Sequence, residues 1–247
     1  MSRPGWLEAS FGAPHGIRAG VTTRAGGVST GGFGSLNLAA HVGDAPAAVT
    51  ANREILKGAL GLPRDPMWLQ QVHGVAVFEA QGADAPTEPC DAAVTDRAGV
   101  VLAVLTADCL PVVFASLDGQ RLGVAHAGWR GLLGGVLEAT VRALGGRPEQ
   151  LVVWLGPAIG REAFEVGEEV RAAFLAYDPD DADAFAANAR GRWQADLVQL
   201  ASARLRRCGV TRVTTSGLCT YADSARFYSH RRDPDSGRMA TLVWREP

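Results

Sequence analysis

The sequence predicts an α+β (mixed α/β) fold, in which layered mixed β-sheets are flanked by helices. Short apolar runs of strand length follow one another directly in the centre of the chain, whereas helical segments lie before and after them. Strands in runs favour a mixed sheet over the strict strand–helix alternation of a Rossmann-type fold. With 47% hydrophobic and 20% charged residues, the composition is that of an ordinary globular protein. A chain of 247 residues can bury a large core, and we expect a single domain over residues 1–247.

The first part of the chain is expected to contain a strand, a long loop and a helix. A strand is predicted over residues 17–23, followed by a glycine-rich loop over residues 24–38. The glycines permit unusual backbone angles and close approach to a ligand, although a flexible lid without contacts has the same composition. Asp44 is expected to begin a helix that has Pro46 in its first turn. Residues 68–80 are predicted as a strand interrupted near Gly74.

The remaining elements are four central strands, then helices alternating with strands. The central strands are predicted over residues 92–95, 100–105, 112–116 and 122–125, with a hairpin signal at Asp118-Gly119. Helices are predicted over residues 132–144, 168–177 and 196–208. In the last of these, Asp196 is the expected N-cap and Gly209 the C-terminal stop. Strands are predicted over residues 151–155, 210–215, 226–229 and 239–244. Arg204, Arg206 and Arg207 are expected to form a solvated helix face.

Composition and cysteine usage narrow the possible classes of protein. The net charge of −2 argues against a nucleic-acid binder. The sequence contains no run of 18 apolar residues, so we expect no membrane span. The four cysteines have no close pairing and no export signal accompanies them, so we expect free thiols in a reducing cytoplasm. We expect a small-molecule partner, and the oligomeric state stays open.

Three side chains combine into a candidate site. Cys109 follows the strand at 100–105 and His126 follows the strand at 122–125, while His73 abuts another β-branched run. Two histidines and one cysteine suit zinc, and three protein ligands with an open fourth position are typical of a catalytic zinc site. Alternatively, Cys109 is the thiolate nucleophile and His126 the base of a Cys-His hydrolase. Each of the three residues alone is also common as a buried structural residue, and their spacing is too wide to be specific.

Nine motifs in one order carry a resemblance to a known family. They are residues 22–29 (TTRAGGVS), 35–38 (SLNL), 41–44 (HVGD), 71–74 (QVHG), 106–109 (TADC), 125–131 (AHAGWRG), 156–160 (GPAIG), 164–167 (FEVG) and 227–233 (FYSHRRD). Over nearly its whole length the chain resembles the YfiH/DUF152 family, whose members were once described as multicopper polyphenol oxidoreductases or laccase-domain proteins. The family's zinc ligands map onto His73, Cys109 and His126. The resemblance also implies a layered mixed α/β core, shared with hydrolases of the cytotoxic-necrotizing-factor type.

The resemblance implies a zinc-dependent purine nucleoside enzyme. Its expected reactions are phosphorolysis of adenosine, inosine, guanosine and methylthioadenosine, and deamination of adenosine; bacterial members are also linked to peptidoglycan editing. Under this interpretation Arg24, Arg130 and the N–H groups near Gly128 are candidates for binding phosphate. Asn37 contacts the nucleoside or only bonds its own loop. Asp108 joins Cys109 and His126 as a candidate catalytic residue, or it only caps a turn.

Two further alternatives follow from the same residues. A multicopper oxidase needs more histidines than the five in this chain, but a single copper ion could replace zinc in the same pocket. Copper-dependent polyphenol oxidation therefore stays an alternative activity. A non-catalytic interaction module would have little use for three potential metal ligands.

Overall fold

The computed structural model describes residues 5–82 and 85–247. In chain order, the strands of this part are β1 (Trp6–Glu8), β2 (Ile17–Thr22), β3 (Met67–Trp68), β4 (Val77–Glu79), β5 (Ala92–Thr95), β6 (Val101–Thr106), β7 (Leu110–Ser116), β8 (Leu122–Ala127), β9 (Leu151–Leu155), β10 (Glu165–Val166), β11 (Phe185–Ala187), β12 (Trp193–Ala195), β13 (Arg212–Thr215) and β14 (Met239–Arg245). The α-helices are α1 (Pro46–Leu60), α2 (Trp129–Gly134), α3 (Val136–Leu144), α4 (Glu168–Tyr177) and α5 (Leu197–Arg207).

The strands form two large mixed sheets and one small sheet. The first large sheet has the order β1-β2-β14-β6-β3 and is antiparallel except between β6 and β3. The second has the order β13-β9-β7-β8-β5-β4 and is parallel only at its two edges. A small antiparallel sheet has the order β10-β12-β11. The predicted fold class, mixed sheets flanked by helices, is confirmed.

The two large sheets pack face to face across a shared core. Val104 and Val243 of the first sheet belong to the same buried cluster as Val113 and Val124 of the second. Helices α3, α4 and α5 cover the other face of the second sheet, while α1 and the glycine-rich loop cover the other face of the first. Because both faces of the central strands are covered, β6 and β7 are apolar along almost their whole length.

Several predicted elements lie where the sequence places them. Strands β5 and β9 and helix α4 have the predicted bounds, and β7 and β8 form the predicted hairpin. The Asp196 side chain caps α5 by accepting a hydrogen bond from the backbone N–H of Gln199. Gly209 follows that helix with a φ of 86°, a left-handed conformation suited to glycine. Helix α1 begins at Pro46, after the predicted start at Asp44.

The strand predicted over residues 68–80 is wrong in its centre. Only β3 and β4 are extended, and residues 69–76 form a loop between them. The backbone N–H groups of Val72, His73 and Gly74 donate to the carboxylate of Asp91 instead of to a neighbouring strand. His73 also has a φ of 60°, which a strand cannot accommodate.

The helix predicted over residues 132–144 is two helices. Helix α2 begins earlier, at Trp129, and ends before Gly135, whose φ of 98° interrupts the helical path. Helix α3 then continues to Leu144 and stops at Gly145, as predicted. The helical periodicity of apolar residues predicts the buried face that α2 and α3 share. It does not predict the change of direction at the single residue Gly135.

Two further expectations are wrong. Residues 226–229 form no strand; Phe227 and Tyr228 are fully buried, but the N–H of Tyr228 donates to the sulfur of Met239. Arg204 is also not solvated: it is 1% exposed and donates to Glu138 and to the carbonyl of Leu133. Strand β1 and the small sheet escaped prediction because two- and three-residue strands are too short to show alternation.

Among the described residues, no helix is both long enough and apolar enough to cross a membrane. All four cysteines (Cys90, Cys109, Cys208 and Cys219) are free thiols.

Candidate metal centre

The three predicted ligands come from three separate chain segments. Cys109 lies in the turn between β6 and β7, where the chain leaves the first large sheet and enters the second. His126 lies on β8, opposite Pro111 in the register of β7, which brings it beside Cys109. His73 lies in the loop between β3 and β4. The Sγ of Cys109 is 3.7 Å from Nε2 of His73, and the three ligand atoms lie within 4.8 Å of one another.

Asp91 fixes the orientation of two of these residues. It lies directly before β5, is fully buried, and its Oδ1 is 2.7 Å from Nδ1 of His126. Its two carboxylate oxygens also accept the backbone N–H groups on either side of His73 and that of His73 itself. With Nδ1 of His126 held by the carboxylate, Nε2 is left for Cys109 or for a metal ion, the arrangement common around metal-ligating histidines.

The charges of these groups support one another. Burial raises the pKa of Asp91, but the hydrogen bonds from His126 and from the backbone N–H groups of Gly74 and Val72 lower it below its usual value. Burial also raises the pKa of the Cys109 thiol, whereas the charges and hydrogen bonds of His126 and His73 lower it further than burial raises it. For His126, burial lowers the pKa, but the Cys109 thiolate and Asp91 raise it above its usual value. Cys109 is therefore poised as a thiolate, the form that acts as nucleophile or metal ligand.

The space around the three ligands fits a metal ion. A Cβ at Gly128 would lie 2.7 Å from Cδ2 of His73 and 3.0 Å from Sγ of Cys109, so only glycine lets the backbone run beside the site. Two imidazoles and one thiolate, one of the imidazoles held through its other nitrogen, are a donor set suited to zinc or copper. His73, Cys109 and His126 thus fit the metal that the resemblance implies.

Asp108 ties the cysteine turn to the C-terminal part of the chain. Its φ of 92° is unusual for a residue with a side chain. One carboxylate oxygen accepts the hydroxyl of Thr220, and the other accepts the hydroxyl of Ser229 and the N–H of Arg231. The carboxylate is thus already occupied by three donors, and the geometry favours the turn-holding alternative over proton transfer.

Cys109 lies between two cavities and lines both of them. One, of about 140 Å³, is lined mainly by apolar side chains that include Trp129, Ile159 and Phe164. The other, of about 390 Å³, contains all three ligand residues; its remaining lining is His41, Gln71, Leu105, Thr106, Ala107, Arg130, His230 and Arg238. Of the described residues lining this larger cleft, none is a carboxylate and two are arginines. The candidate metal centre therefore lies in the cationic cleft, and its Cys109 also borders the apolar cavity.

The three predicted substrate-binding residues lie in different places. Arg130 is exposed, lines the cationic cleft, and stacks 4.3 Å from the ring centroid of Trp129. Arg24 donates to the carbonyls of Gly34 and Ser224 and stacks on Tyr228, and among the described residues it lines neither cavity.

Asn37 is fully buried. Its amide bonds Ala39 and Asp44 and accepts the backbone N–H of Arg238. The geometry thus favours the alternative in which Asn37 bonds its own loop, and its contact with a nucleoside stays a prediction. The glycine-rich loop itself is no free lid, because Ser35, Asn52 and Asp44 hold its backbone and side chains.

Sequence reasoning missed Asp91 and Arg238. Asp91 precedes an apolar strand and carries no motif around it, but an acidic residue at the start of a buried strand signals a need for hydrogen-bond donors. Arg238 directly precedes β14 and gives no signal of its own in a chain this rich in arginine. Only the fold brings either residue to the site.

Comparison with known proteins gives consistent results. A family model described as multi-copper polyphenol oxidoreductase laccase matches residues 18–246. The chain is 51% identical to a protein of Pseudomonas aeruginosa named purine nucleoside phosphorylase PA4543, with 97% of this chain and 98% of the relative covered. It is 47% identical to purine nucleoside phosphorylase YfiH of Escherichia coli, with 94% and 95% covered.

Solved structures match over the whole chain. Protein NMB0706 of Neisseria meningitidis, assigned to DUF152, is 45% identical with a TM-score of 0.94 and coverage of 98% of this chain and 100% of that chain. YlmD of Geobacillus stearothermophilus is 33% identical with a TM-score of 0.90, with 100% and 98% covered. These findings confirm the resemblance that the motifs carry: the chain belongs to the YfiH (DUF152) family, whose family model describes laccase-type polyphenol oxidoreductases.

Proposed function

We propose that this protein is a zinc-dependent purine nucleoside phosphorylase. The observation that carries the proposal is the position of His73, Cys109 and His126 in a cationic cleft, with Cys109 also bordering an apolar cavity. A purine nucleoside has an aromatic base on one side of its glycosidic bond, and phosphorolysis brings a phosphate to the other side of the ribose. The names of the relatives support the same reaction.

The side chains of the two cavities suit the two ends of this reaction, the base and the phosphate. The rings of Trp129 and Phe164 offer an apolar surface on which a base can stack. Arg130 supplies a guanidinium that can bind phosphate through two parallel hydrogen bonds. His73, Cys109 and His126 would hold the zinc ion, which supplies Lewis-acid stabilisation of developing negative charge when bound. Asp108 acts through Cys109 by holding its turn.

The substrates we propose are adenosine, inosine, guanosine and methylthioadenosine, with deamination of adenosine as a second reaction. We place the protein in the cytoplasm, which its four free cysteines support.

A metal analysis and an activity assay test the main proposal. Protein prepared without added metal should contain about one zinc ion per chain, and adenosine with phosphate should yield adenine and ribose 1-phosphate. Inosine formed without phosphate would instead show deamination. Cys109→Ala should lose both metal and activity, whereas Cys208→Ala, at the end of α5 and outside both cavities, should keep them. Failure of every nucleoside to react with the metal-loaded protein would refute the proposal.

A Cys-His hydrolase is the second candidate, favoured by the chain of contacts from Asp91 through His126 to Cys109. This order of acid, imidazole and thiolate is that of an activated nucleophile. A hydrolase would form a covalent adduct at Cys109 with an electrophilic probe and remain active in the presence of a chelator. Loss of activity on chelation, restored by zinc, would exclude it.

Copper-dependent polyphenol oxidation at the same centre is a third possibility, suggested by the description of the family model. The structure brings together one group of three potential ligands in the part of the chain it describes. Oxidation of a phenol by copper-loaded protein, with none by zinc-loaded protein, would trace that activity to metal substitution.

A further inference from the structure

We propose that the guanidinium of Arg238 binds the phosphate co-substrate in the cationic cleft. This inference rests on the proposed function. It assigns the anion-binding role to a residue that lies 201 positions from Asn37, its backbone partner, and outside every motif that carries the resemblance.

The first argument is the unpaired charge of Arg238. Its side chain is half-buried, and burial lowers its pKa. Among the described residues it forms no ion pair; Nη1 donates to the carbonyls of Ser236 and Gly237. A partly buried cation without a carboxylate partner is costly unless a ligand brings the negative charge. Nε and Nη2 have no hydrogen-bond acceptor within the described chain, so they are available to two oxygens of one phosphate.

The second argument is the surroundings of Arg238. It lines the cleft together with His73, Cys109 and His126, and Arg130 lies on the same cleft. No carboxylate lines that cleft in the described residues. Against the larger effect of burial, the charges of Cys109 and Asp108 raise the pKa of Arg238, but neither group forms a hydrogen bond with its guanidinium in the described chain. Thr106 also lines it and is 2% exposed, with a hydroxyl that has no hydrogen-bond partner in the described part of the chain.

The third argument is that the backbone of Arg238 is fixed. The buried amide of Asn37 accepts its N–H, and the next residue begins β14 in the middle of the first large sheet. A Cβ at Gly237 would lie 2.7 Å from the ring of Tyr228, so the approach to Arg238 allows only glycine. Asn37 is thus a positioning residue for Arg238. Two carbonyls also hold Nη1, and a guanidinium restrained in this way loses less entropy when it binds an anion.

Arg130 lies on the same cleft and can contact the same phosphate, whereas three other arginines near the site fit this role less well. Arg24 is engaged by two carbonyls and the ring of Tyr228, away from the cleft. Arg231 lines the apolar cavity and donates to the carbonyls of Ala163 and Glu165. Arg232 donates to three backbone carbonyls and pairs with Asp233.

The test measures binding of inorganic phosphate to the zinc-loaded protein without nucleoside, by isothermal titration calorimetry, alongside KM for phosphate and for nucleoside. Loss of a charge-assisted pair should weaken phosphate binding in Arg238→Met by roughly tenfold to a hundredfold. KM for the nucleoside should change much less. Arg147→Met removes one charge from an exposed surface position and is the matched control.

Arg238→Gln keeps an N–H donor for the neighbouring carbonyls while removing the charge, so it carries the test where Arg238→Met does not fold. Unchanged phosphate affinity in either folded, metal-loaded variant overturns the proposal, as does loss of phosphate binding in Arg24→Met alone. If phosphate binding depends on Arg238 but no nucleoside is cleaved, the assignment stands and the phosphorylase proposal fails. If phosphorolysis occurs with an unchanged KM for phosphate in both variants, the phosphorylase proposal stands and the assignment of Arg238 fails.

Discussion

At the scale of single residues, Asp91 contributes most to the order of the site. One buried carboxylate accepts hydrogen bonds from His126 and from three consecutive backbone N–H groups around His73. It therefore sets the tautomer of one ligand and the backbone conformation of another, including the strained φ of 60° at His73. Gly128 complements it by leaving room where any side chain would touch His73 and Cys109.

Replacing this carboxylate should weaken metal binding without removing any ligand. In Asp91→Asn, the amide has one acceptor oxygen for four donors, and its NH₂ group faces backbone N–H groups. We expect zinc affinity to fall about 10- to 100-fold, measured by competition with a chelator of known affinity. Asp65→Asn, on a side chain that is 73% exposed and pairs with Lys57, is the matched control and should bind zinc like the wild type. Equal affinity in both variants would mean that Asp91 does not orient the ligands.

At the scale of elements, the break between α2 and α3 lets one apolar segment pack against two different parts of the protein. Helix α2 packs near the loop at residues 69–76, where a Cβ at Gly131 would lie 3.0 Å from the carbonyl of Gly74. Helix α3 packs on the second large sheet with Val136, Leu137 and Val141 buried. Gly135, in the left-handed region, permits the change of direction between them. Helix α2 has only six residues, and the phosphate contact of the N–H groups near Gly128 at its start stays a prediction.

Two glycine-to-alanine substitutions should therefore have opposite signs. Gly135→Ala places a Cβ on a residue with a φ of 98° and should lower the free energy of unfolding by about 1–2 kcal/mol. Gly58→Ala, exposed within α1 and with nothing near its Cβ position, should raise it by about 0.5–1 kcal/mol. Urea unfolding followed by circular dichroism measures both. A stabilising Gly135→Ala would show that the left-handed break is not required.

At the scale of the whole molecule, the site depends on the packing of two sheets. Cys109 lies in the connection from one large sheet to the other, and His126 lies in the second sheet, whereas Arg238 directly precedes a strand of the first. The core between the sheets contains residues of both, so neither sheet has a core of its own on that face. We propose on this basis that residues 1–247 form one domain.

A shared core predicts one unfolding transition. Thermal unfolding by calorimetry should give equal calorimetric and van't Hoff enthalpies. Val104→Ala in the first sheet and Val113→Ala in the second each remove two buried methyl groups, which costs roughly 2 kcal/mol. Each should lower the midpoint of the same transition. A second transition, shifted by only one of the substitutions, would show that the sheets unfold separately.

Local sequence patterns were enough to predict the fold class and most element positions, and the nine motifs were enough to predict the family. Strands buried on both faces are apolar over most of their length, and caps such as Asp196 act within a few residues, so local patterns suffice to predict them. Residue type alone makes His73, Cys109 and His126 a candidate zinc ligand set, and the resemblance implies the same three residues. The predictions were wrong where the structure depends on residues distant in sequence. The loop at residues 69–76 is held by hydrogen bonds to Asp91, and Arg204 is buried because it pairs with Glu138.

Which polar residues lie at the site depends on the packing of distant chain segments. Asp91 and His126 are 35 positions apart, and Asn37 and Arg238 are 201 apart, so no periodicity or spacing connects them. Arg24 and Arg238 have the same side chain, but Arg24 donates through both Nε and Nη1 and stacks on an aromatic ring, whereas Arg238 donates through Nη1 alone and lines the cleft. A hydrogen bond or an unpaired charge is a property of neighbours in space, and those neighbours exist only once the two sheets have packed.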